Sequence, residues 1–208
     1  MIVNSLLSHL LLSGFSKLSK KVISRLILYI WSSIFAMKEE QVILVNEKDE
    51  QIGLMPKMEA HEKALLHRAF SVFVFNDRNE LMIQRRALGK YHSPGLWTNT
   101  CCSHQREGES NIAAGKRRLQ EEMGFTTDLK ETVSFIYKAP FDNGLTEHEF
   151  DHILVGYYNE EPNLNPEEAD DYKWVGLEEL KEDMKKNPEL YTEWFKIIFD
   201  KYYKHIRQ

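Results

Sequence analysis

The chain has only two cysteines in 208 residues, and they are neighbours, Cys101 and Cys102. Two adjacent thiols cannot make a disulfide framework, so a reducing compartment is expected, and with it the cytoplasm. No apolar run reaches the roughly 20 residues that crossing a bilayer requires. Met1 to Ser16 is uncharged but too short, and Leu26 to Ala36 is shorter still. No basic stretch precedes the first of these runs, which fits a secretory signal poorly. Residues 1 to 36 also lack any acidic side chain and carry only Lys17, Lys20, Lys21 and Arg25. The other 23 of the 27 basic residues therefore face all 32 acidic ones from residue 37 on, a net of −9. A body this acidic argues against a general nucleic-acid binder, so any anionic ligand must be held locally by a few cations or a metal. There is no internal repeat and no low-complexity segment.

What is present is the length of one domain plus an extension, with 42% hydrophobic residues, enough for a sizeable core. Residues 1–36 read as an amphipathic membrane-surface or targeting helix, a disordered tail, or translation from a start upstream of the natural one. Met37 precedes Lys38-Glu39-Glu40 and a strand pattern and looks like a natural beginning. The third reading is therefore favoured, with residues 37–208 as the domain. Val42 to Val45 and Gln51 to Met55, around the turn cluster Asn46 to Glu50, predict a hairpin; Ala69 to Phe75 and Glu80 to Arg85, around Asn76 to Asn79, predict a second. Met58 to Lys63 is a short helix or loop, and Tyr91 to Gly95 a loop fixed by Pro94 and Gly95. Ser110 caps a helix that puts Ile112, Leu119 and Met123 on one face and stops at Gly124. Strands are expected at Glu131 to Lys138, His148 to Tyr158 and Tyr172 to Val175, and a helix over Leu177 to Lys186. Asn187-Pro188 is read as the cap and first turn of a last helix. This order gives an α+β sandwich with a mixed sheet and few helices, not regular βαβ alternation.

Both cysteines lie in the stretch Trp97 to His104. If it is extended, Cys102 and His104 point one way and Cys101 the other, so one thiol faces a site and its neighbour a core. Free cysteine is among the most buried residue types, so on this stretch alone a packing role and a site role both stand. Glu121 and Glu122 end the helix that Ser110 begins, where the helix dipole disfavours carboxylates by about 0.3–1 kcal/mol each. Either a bound cation compensates, or the end is solvated and balanced by Lys116, Arg117 and Arg118.

Glu109, Arg117, Glu121-Glu122 and Gly124 together resemble the Nudix box. Two positions depart from it: Ser103 stands where the first glycine belongs, and Arg118 where the box has a metal-binding glutamate. With Glu59-Ala60-His61, Leu66 to Phe70, Arg85 to Leu88, Pro94 to Asn99, Cys102-Ser103-His104, Gly108 to Asn111 and Glu147-His148-Glu149 in this order, the chain resembles the type I isopentenyl diphosphate isomerases of the Nudix superfamily. The resemblance covers roughly Val42 to Val175 and implies a Nudix-like α/β/α sandwich.

It implies a metal site of His61, His67, His104, Glu147 and Glu149, a mixed imidazole and carboxylate set that suits Mn²⁺, Zn²⁺ or Mg²⁺ in octahedral coordination. Glu147 and Glu149, two apart on one strand, face the same side as two ligands of one ion must. A second ion, Mg²⁺ bound with the substrate's diphosphate, is implied at Glu122 and the Cys102 carbonyl, with Lys57, Arg85, Lys90 and Arg118 as diphosphate-binding cations. Arg118 then marks the exchange of hydrolytic metal ligation for phosphate binding, whereas Arg86 reads as an exposed strand end. The implied reaction interconverts isopentenyl and dimethylallyl diphosphate by protonation and deprotonation across a dry pocket. Cys102 and Glu149 are the acid/base pair, Tyr137 hydrogen-bonds Glu149, and Trp194 faces the carbocation. His9, His92, His148, His152 and His205 match no ligand position and are taken as structural; Trp97 and Trp174 are taken as core. The implied partner is a small isoprenoid diphosphate, with no nucleic acid and no membrane span, and nothing in the pattern sets an oligomeric state. Two alternatives are a Nudix-type pyrophosphohydrolase, which would release phosphate or pyrophosphate, and a diphosphate-binding module without turnover.

Overall fold

Two asparagines make the first two hairpins in the same way. Strands β1 (Gln41–Val45) and β2 (Gln51–Pro56) pair antiparallel with Val42 opposite Met55. In their turn Asn46 Oδ1 accepts from the N–H groups of Lys48 and Glu50, and Asp49 takes a left-handed φ of 62°. Strands β3 (His67–Phe75) and β4 (Glu80–Arg86) repeat this: Asn76 Oδ1 accepts from Arg78 and Glu80, and Asn79 sits at φ 57°. Between the hairpins lies a short helix, α1 (Lys57–Glu62). The computed structural model that shows this describes residues 40–141 and 143–206, so the readings of residues 1–36 fall outside the described residues.

Two short strands follow, β5 (Trp97–Thr98) and β6 (Cys101–Ser103), and then helix α2 (Asn111–Met123). Ser110 Oγ accepts from Ala113 N–H at the start of α2, as expected, and Gly124 ends the helix at φ 74°. A side chain at Gly124 would be strained and would also meet Asn163 O at 2.3 Å. That close approach lets Asn163 and Asn165 donate their N–H groups to the Met123 and Glu122 carbonyls left over at the helix end. The long strands β7 (Leu129–Pro140) and β8 (Thr146–Tyr157) form an antiparallel pair with Tyr137 opposite Glu149. The chain closes with β9 (Ala169–Gly176), α3 (Leu177–Lys186) and α4 (Glu193–Ile206). One boundary differs from expectation. Asn187-Pro188 opens a separate 3₁₀ turn, Pro188–Leu190, and α4 begins only after Tyr191 and Thr192, because Thr192 N–H is spent on the Trp97 carbonyl.

The nine strands of the described residues join one mixed sheet centred on β3. One edge of β3 runs parallel to β8 along its whole length, placing His67 opposite Glu149. The other edge is shared in succession by β1 at His67, β6 at Phe70 to Val72 and β4 at Val74 and Phe75. Side chains alternate along β3, so Phe73 and Phe75 pack on one face against Trp194, Phe195, Ile198 and Phe199 of α4 and Leu180 of α3. Phe70, Val72 and Val74 pack on the other face against Ala114, Leu119 and Met123 of α2. Each fully buried Phe contributes about 1.5–3 kcal/mol. Gly115 brings α2 close to the sheet, since a Cβ there would meet Leu154 Cδ1 at 2.7 Å. The result is the expected α/β/α sandwich. Among the described residues no helix is long and apolar enough to cross a membrane.

Candidate active site

His61, His67, His104, Glu147 and Glu149 are all buried and present five ligand atoms within 4.8 Å of one another. Their convergence follows from the fold. Glu147 and Glu149 share a face of β8, the parallel ladder sets His67 beside Glu149, and His104 lies one residue past β6. His61 comes from α1, where its Nδ1 donates to the Lys57 carbonyl at 2.7 Å; His67 Nδ1 donates to the Leu65 carbonyl at 2.8 Å. Both rings are thereby locked in the tautomer that leaves Nε2 as a lone pair, the arrangement that backbone carbonyls impose on metal-binding histidines. His61 Nε2 lies 3.0 Å from Glu147 Oε2, yet neither buried atom makes a hydrogen bond. His67 Nε2, 3.6 Å from Glu149 Oε1, is likewise without one. Lone pairs gathered on one point and bonded to nothing there are what a divalent cation satisfies, so the residues fit a metal site.

Electrostatics separates these groups. Burial lowers the pKa of His61, but Glu147 beside it outweighs burial and leaves it raised, whereas burial pushes His104 down to about 4. Burial also works to raise Glu147, and His61 and His92 overcome it and hold the carboxyl well below the usual carboxylate range. In Glu149, burial and the Glu147 charge are more than offset by the neighbouring His104 and His67 rings.

Next to this cluster stand the expected reacting groups. Cys102 is half-buried on the cavity wall, and burial pushes its thiol up to about 12 against the pull of Arg86, so it carries its proton at neutral pH. Tyr137, opposite Glu149 in the ladder, donates its hydroxyl to Glu149 Oε2 at 2.5 Å. Trp194 lines the same cavity and is 3% exposed. Cys101 faces the other side of the sheet as parity requires, fully buried against α2. It is more than a small apolar filler, because its thiol donates to Glu122 Oε1 at 3.3 Å.

The rest of the cavity wall carries cations and their carboxylate partners. Lys57, Lys90, Arg118 and Glu122 line it as expected. Glu122 is buried rather than solvated, and accepts from Arg118 and Cys101 on Oε1 and from Gln84 on Oε2. Arg85 is a correction. It is 40% exposed, paired with Asp170 at 2.8 Å and set over the Trp97 ring, away from the cavity. Arg86, read as an exposed strand end, is the guanidinium that lines the cavity; it is 6% exposed, bonds the His92 carbonyl and lies over the Trp194 ring. Consecutive strand residues point to opposite faces, so only one of the pair can enter, and a register shift against β9 falls between them.

Two further residues escaped the sequence reading. His92, taken as structural, lines the cavity with its Nε2 3.1 Å from Glu147 Oε1. The signal available was its place in the loop between Lys90 and Trp97. Glu168 also lines the cavity and bonds Lys90 and Arg118, with no motif to announce it. His148 and His152 are structural as expected: the first bonds the Ala64 carbonyl, and the second bridges Glu131 and Asp49.

Comparison with known proteins places this cavity among relatives. The NUDIX domain model matches residues 65–195. The chain is 53% identical over 163 residues to "Isopentenyl-diphosphate Delta-isomerase 2" of Aromatoleum aromaticum, covering 78% of this chain and 86% of that protein. It is 49% identical to "Isopentenyl-diphosphate Delta-isomerase" of Serratia proteamaculans, covering 77% and 89%. Among solved structures, DR0079 from Deinococcus radiodurans superposes with a TM-score of 0.64 at 21% identity, over 78% of this chain and 99% of that one, a likeness of fold alone.

Proposed function

The chain belongs to the NUDIX family and, within it, to the isopentenyl-diphosphate Delta-isomerases, and from that premise we propose how its cavity interconverts isopentenyl and dimethylallyl diphosphate. The reaction moves a double bond by one carbon. A proton is added to the terminal alkene carbon, the electron pair of the double bond forms the new C–H bond, and a tertiary cation remains. Loss of a proton from the carbon two away from the diphosphate oxygen leaves the electron pair of the broken C–H bond to form the new double bond and quench the cation.

Cys102 and Glu149 exchange these two protons from opposite faces of the bound chain. Because the reaction is reversible, each serves as acid in one direction and base in the other. Tyr137 fixes the Glu149 carboxyl and holds a proton within reach of it. Trp194 offers an aromatic wall to the tertiary cation, and its burial helps keep water from capturing that cation. His61, His67, His104, Glu147 and Glu149 would hold one divalent metal, Mn²⁺, Zn²⁺ or Mg²⁺, which would supply fixed positive charge to set the acidity of Glu149. Glu122 and the Cys102 carbonyl would hold the Mg²⁺ that accompanies the substrate. Lys57, Arg86, Lys90 and Arg118 bind the diphosphate oxygens, Arg86 replacing Arg85 in this role. The enzyme works in the cytoplasm, in keeping with two free thiols. Residues 37–208 form the catalytic domain, and a chain starting at Met37 should turn over within about twofold of the full chain.

The observation that carries this reading is that His104, Glu147 and Glu149 of the five-residue cluster line one cavity together with Cys102 and Tyr137. Proton NMR of isopentenyl diphosphate incubated with the protein tests it. Dimethylallyl methyl signals should grow with metal present and stop on chelation. Release of phosphate or pyrophosphate would indicate hydrolysis instead, and unchanged substrate a binding module.

A further inference from the structure

The mechanism leaves one carboxylate at the cation end unused. Glu168, in the loop before β9, accepts from Lys90 Nζ on Oε2 at 2.5 Å and lies with Oε1 3.1 Å from Arg118 Nη2. The three side chains are only 20%, 21% and 16% exposed, so water screens them less than it screens a surface pair. Glu168 and Arg118 each have other contacts that hold them in place. The Glu168 backbone is fixed on both sides, its N–H donating to the Asn165 carbonyl and its carbonyl accepting from Ala87 N–H. Arg118 is already tied to its own helix by Glu121 and Glu122.

We propose that Glu168 is an affinity-setting residue, an internal anion that occupies Lys90 and Arg118 while substrate is away and must surrender them to the incoming diphosphate oxygens. The proposal rests on the assignment of Lys90 and Arg118 to diphosphate binding. Two carboxylate oxygens on two cations offer the same charge-assisted contacts as two phosphate oxygens, so diphosphate binding becomes an exchange of anions rather than a simple addition. Substrate and product are isomers with the same diphosphate, so the exchange weakens both equally. That raises KM and speeds product departure without touching the proton transfers.

Isothermal calorimetry of inorganic pyrophosphate with the Mg²⁺-loaded enzyme tests this in four proteins: wild type, Glu168→Gln, Lys90→Met and the double variant. Glu168→Gln should bind pyrophosphate about fivefold more tightly and lower KM for isopentenyl diphosphate by a similar factor. Loss of a merely structural contact would not tighten binding. Lys90→Met should weaken binding, and in the double variant the gain from Glu168→Gln should shrink. Unchanged or weaker binding by Glu168→Gln overturns the proposal. Should Glu168→Gln fold poorly, Glu168→Ala decides: it also removes the internal anion and should tighten pyrophosphate binding, and unchanged or weaker binding there overturns the proposal equally. If Lys90→Met binds pyrophosphate as wild type does, the diphosphate assignment itself is wrong and the proposal falls with it, an outcome separable from the failure of Glu168→Gln alone.

Discussion

The two ends of the cavity are built by opposite means. At the metal end, five side chains of modest length converge from α1, β3, β8 and the end of β6, and backbone carbonyls or Tyr137 fix much of the set from behind. At the cation end, long side chains arrive from α1, β4, α2 and the loop after β4. Arg118 and Lys90 are held there by carboxylates that a ligand can displace. The first set is fixed by backbone and ring partners; the second is tied in ion pairs between long side chains. Substitutions should therefore act nearly all-or-none at the first and by degrees at the second.

The largest effect tests the proposed reacting pair beside the metal end. Cys102→Ala should lower the isomerisation rate by about 10³-fold or more with fold and metal content intact. Cys101→Ala, on the opposite face of the same strand, should cost about 1 kcal/mol of stability and keep most of the activity. A dead Cys101→Ala beside an active Cys102→Ala would invert the register of β6. Next, His104→Ala and Glu147→Gln should each reduce bound metal per chain, measured by elemental analysis, by at least the 10- to 100-fold in affinity that loss of even an outer partner costs. Full occupancy in either variant would remove that residue from the ligand set.

The cation end should respond less. Arg86→Ala should raise KM about tenfold to a hundredfold, the loss of one or two charge-assisted hydrogen bonds, while Arg85→Ala should change it less than about threefold. Equal effects would erase the distinction between the inward and outward guanidinium. The smallest test is a titration followed by NMR of the histidine rings in metal-free protein. His61 has a raised pKa and keeps its proton to higher pH than an ordinary imidazole, so its ring should titrate above about 6.5. His104, pushed down to about 4, should already be neutral at pH 5.5. A divalent ion must displace the His61 proton, so metal affinity should fall as pH drops through the raised value, with no contribution from His104 in that window. Titration in the reverse order would break this account of the metal end.

Much of the metal end was legible in the sequence because it depends on parity and order. Glu147 and Glu149 alternate onto one face whatever the rest of the sheet does, and Cys102 and Cys101 are separated by the same rule. Both asparagine turns and the capped helix from Ser110 to Gly124 rest on local chemistry and came out where expected. The cation end was harder to read. Arg85 and Arg86 are chemically identical, and which one turns inward depends on a register shift against β9 that no local pattern marks. His92 and Glu168 sit in loops, where no periodicity assigns a direction, and their partners are far away in the chain. The break before α4 was missed for a similar reason, since Thr192 is held by Trp97 rather than by anything nearby.

The position of β3 between β8 and β6 also sets the order in which the protein can assemble. Ser71 on β3 reaches Asp151 on β8 across 80 residues of chain, and His67 meets Glu149 over a similar interval. At 5–20 residues per second, a growing chain spends roughly 4–16 s with His67 made and its carboxylate partner not yet synthesised. Parallel pairing over so long a loop is also among the slower events of folding. The three imidazoles therefore wait for the carboxylates of the second half of the chain before the cluster can be complete.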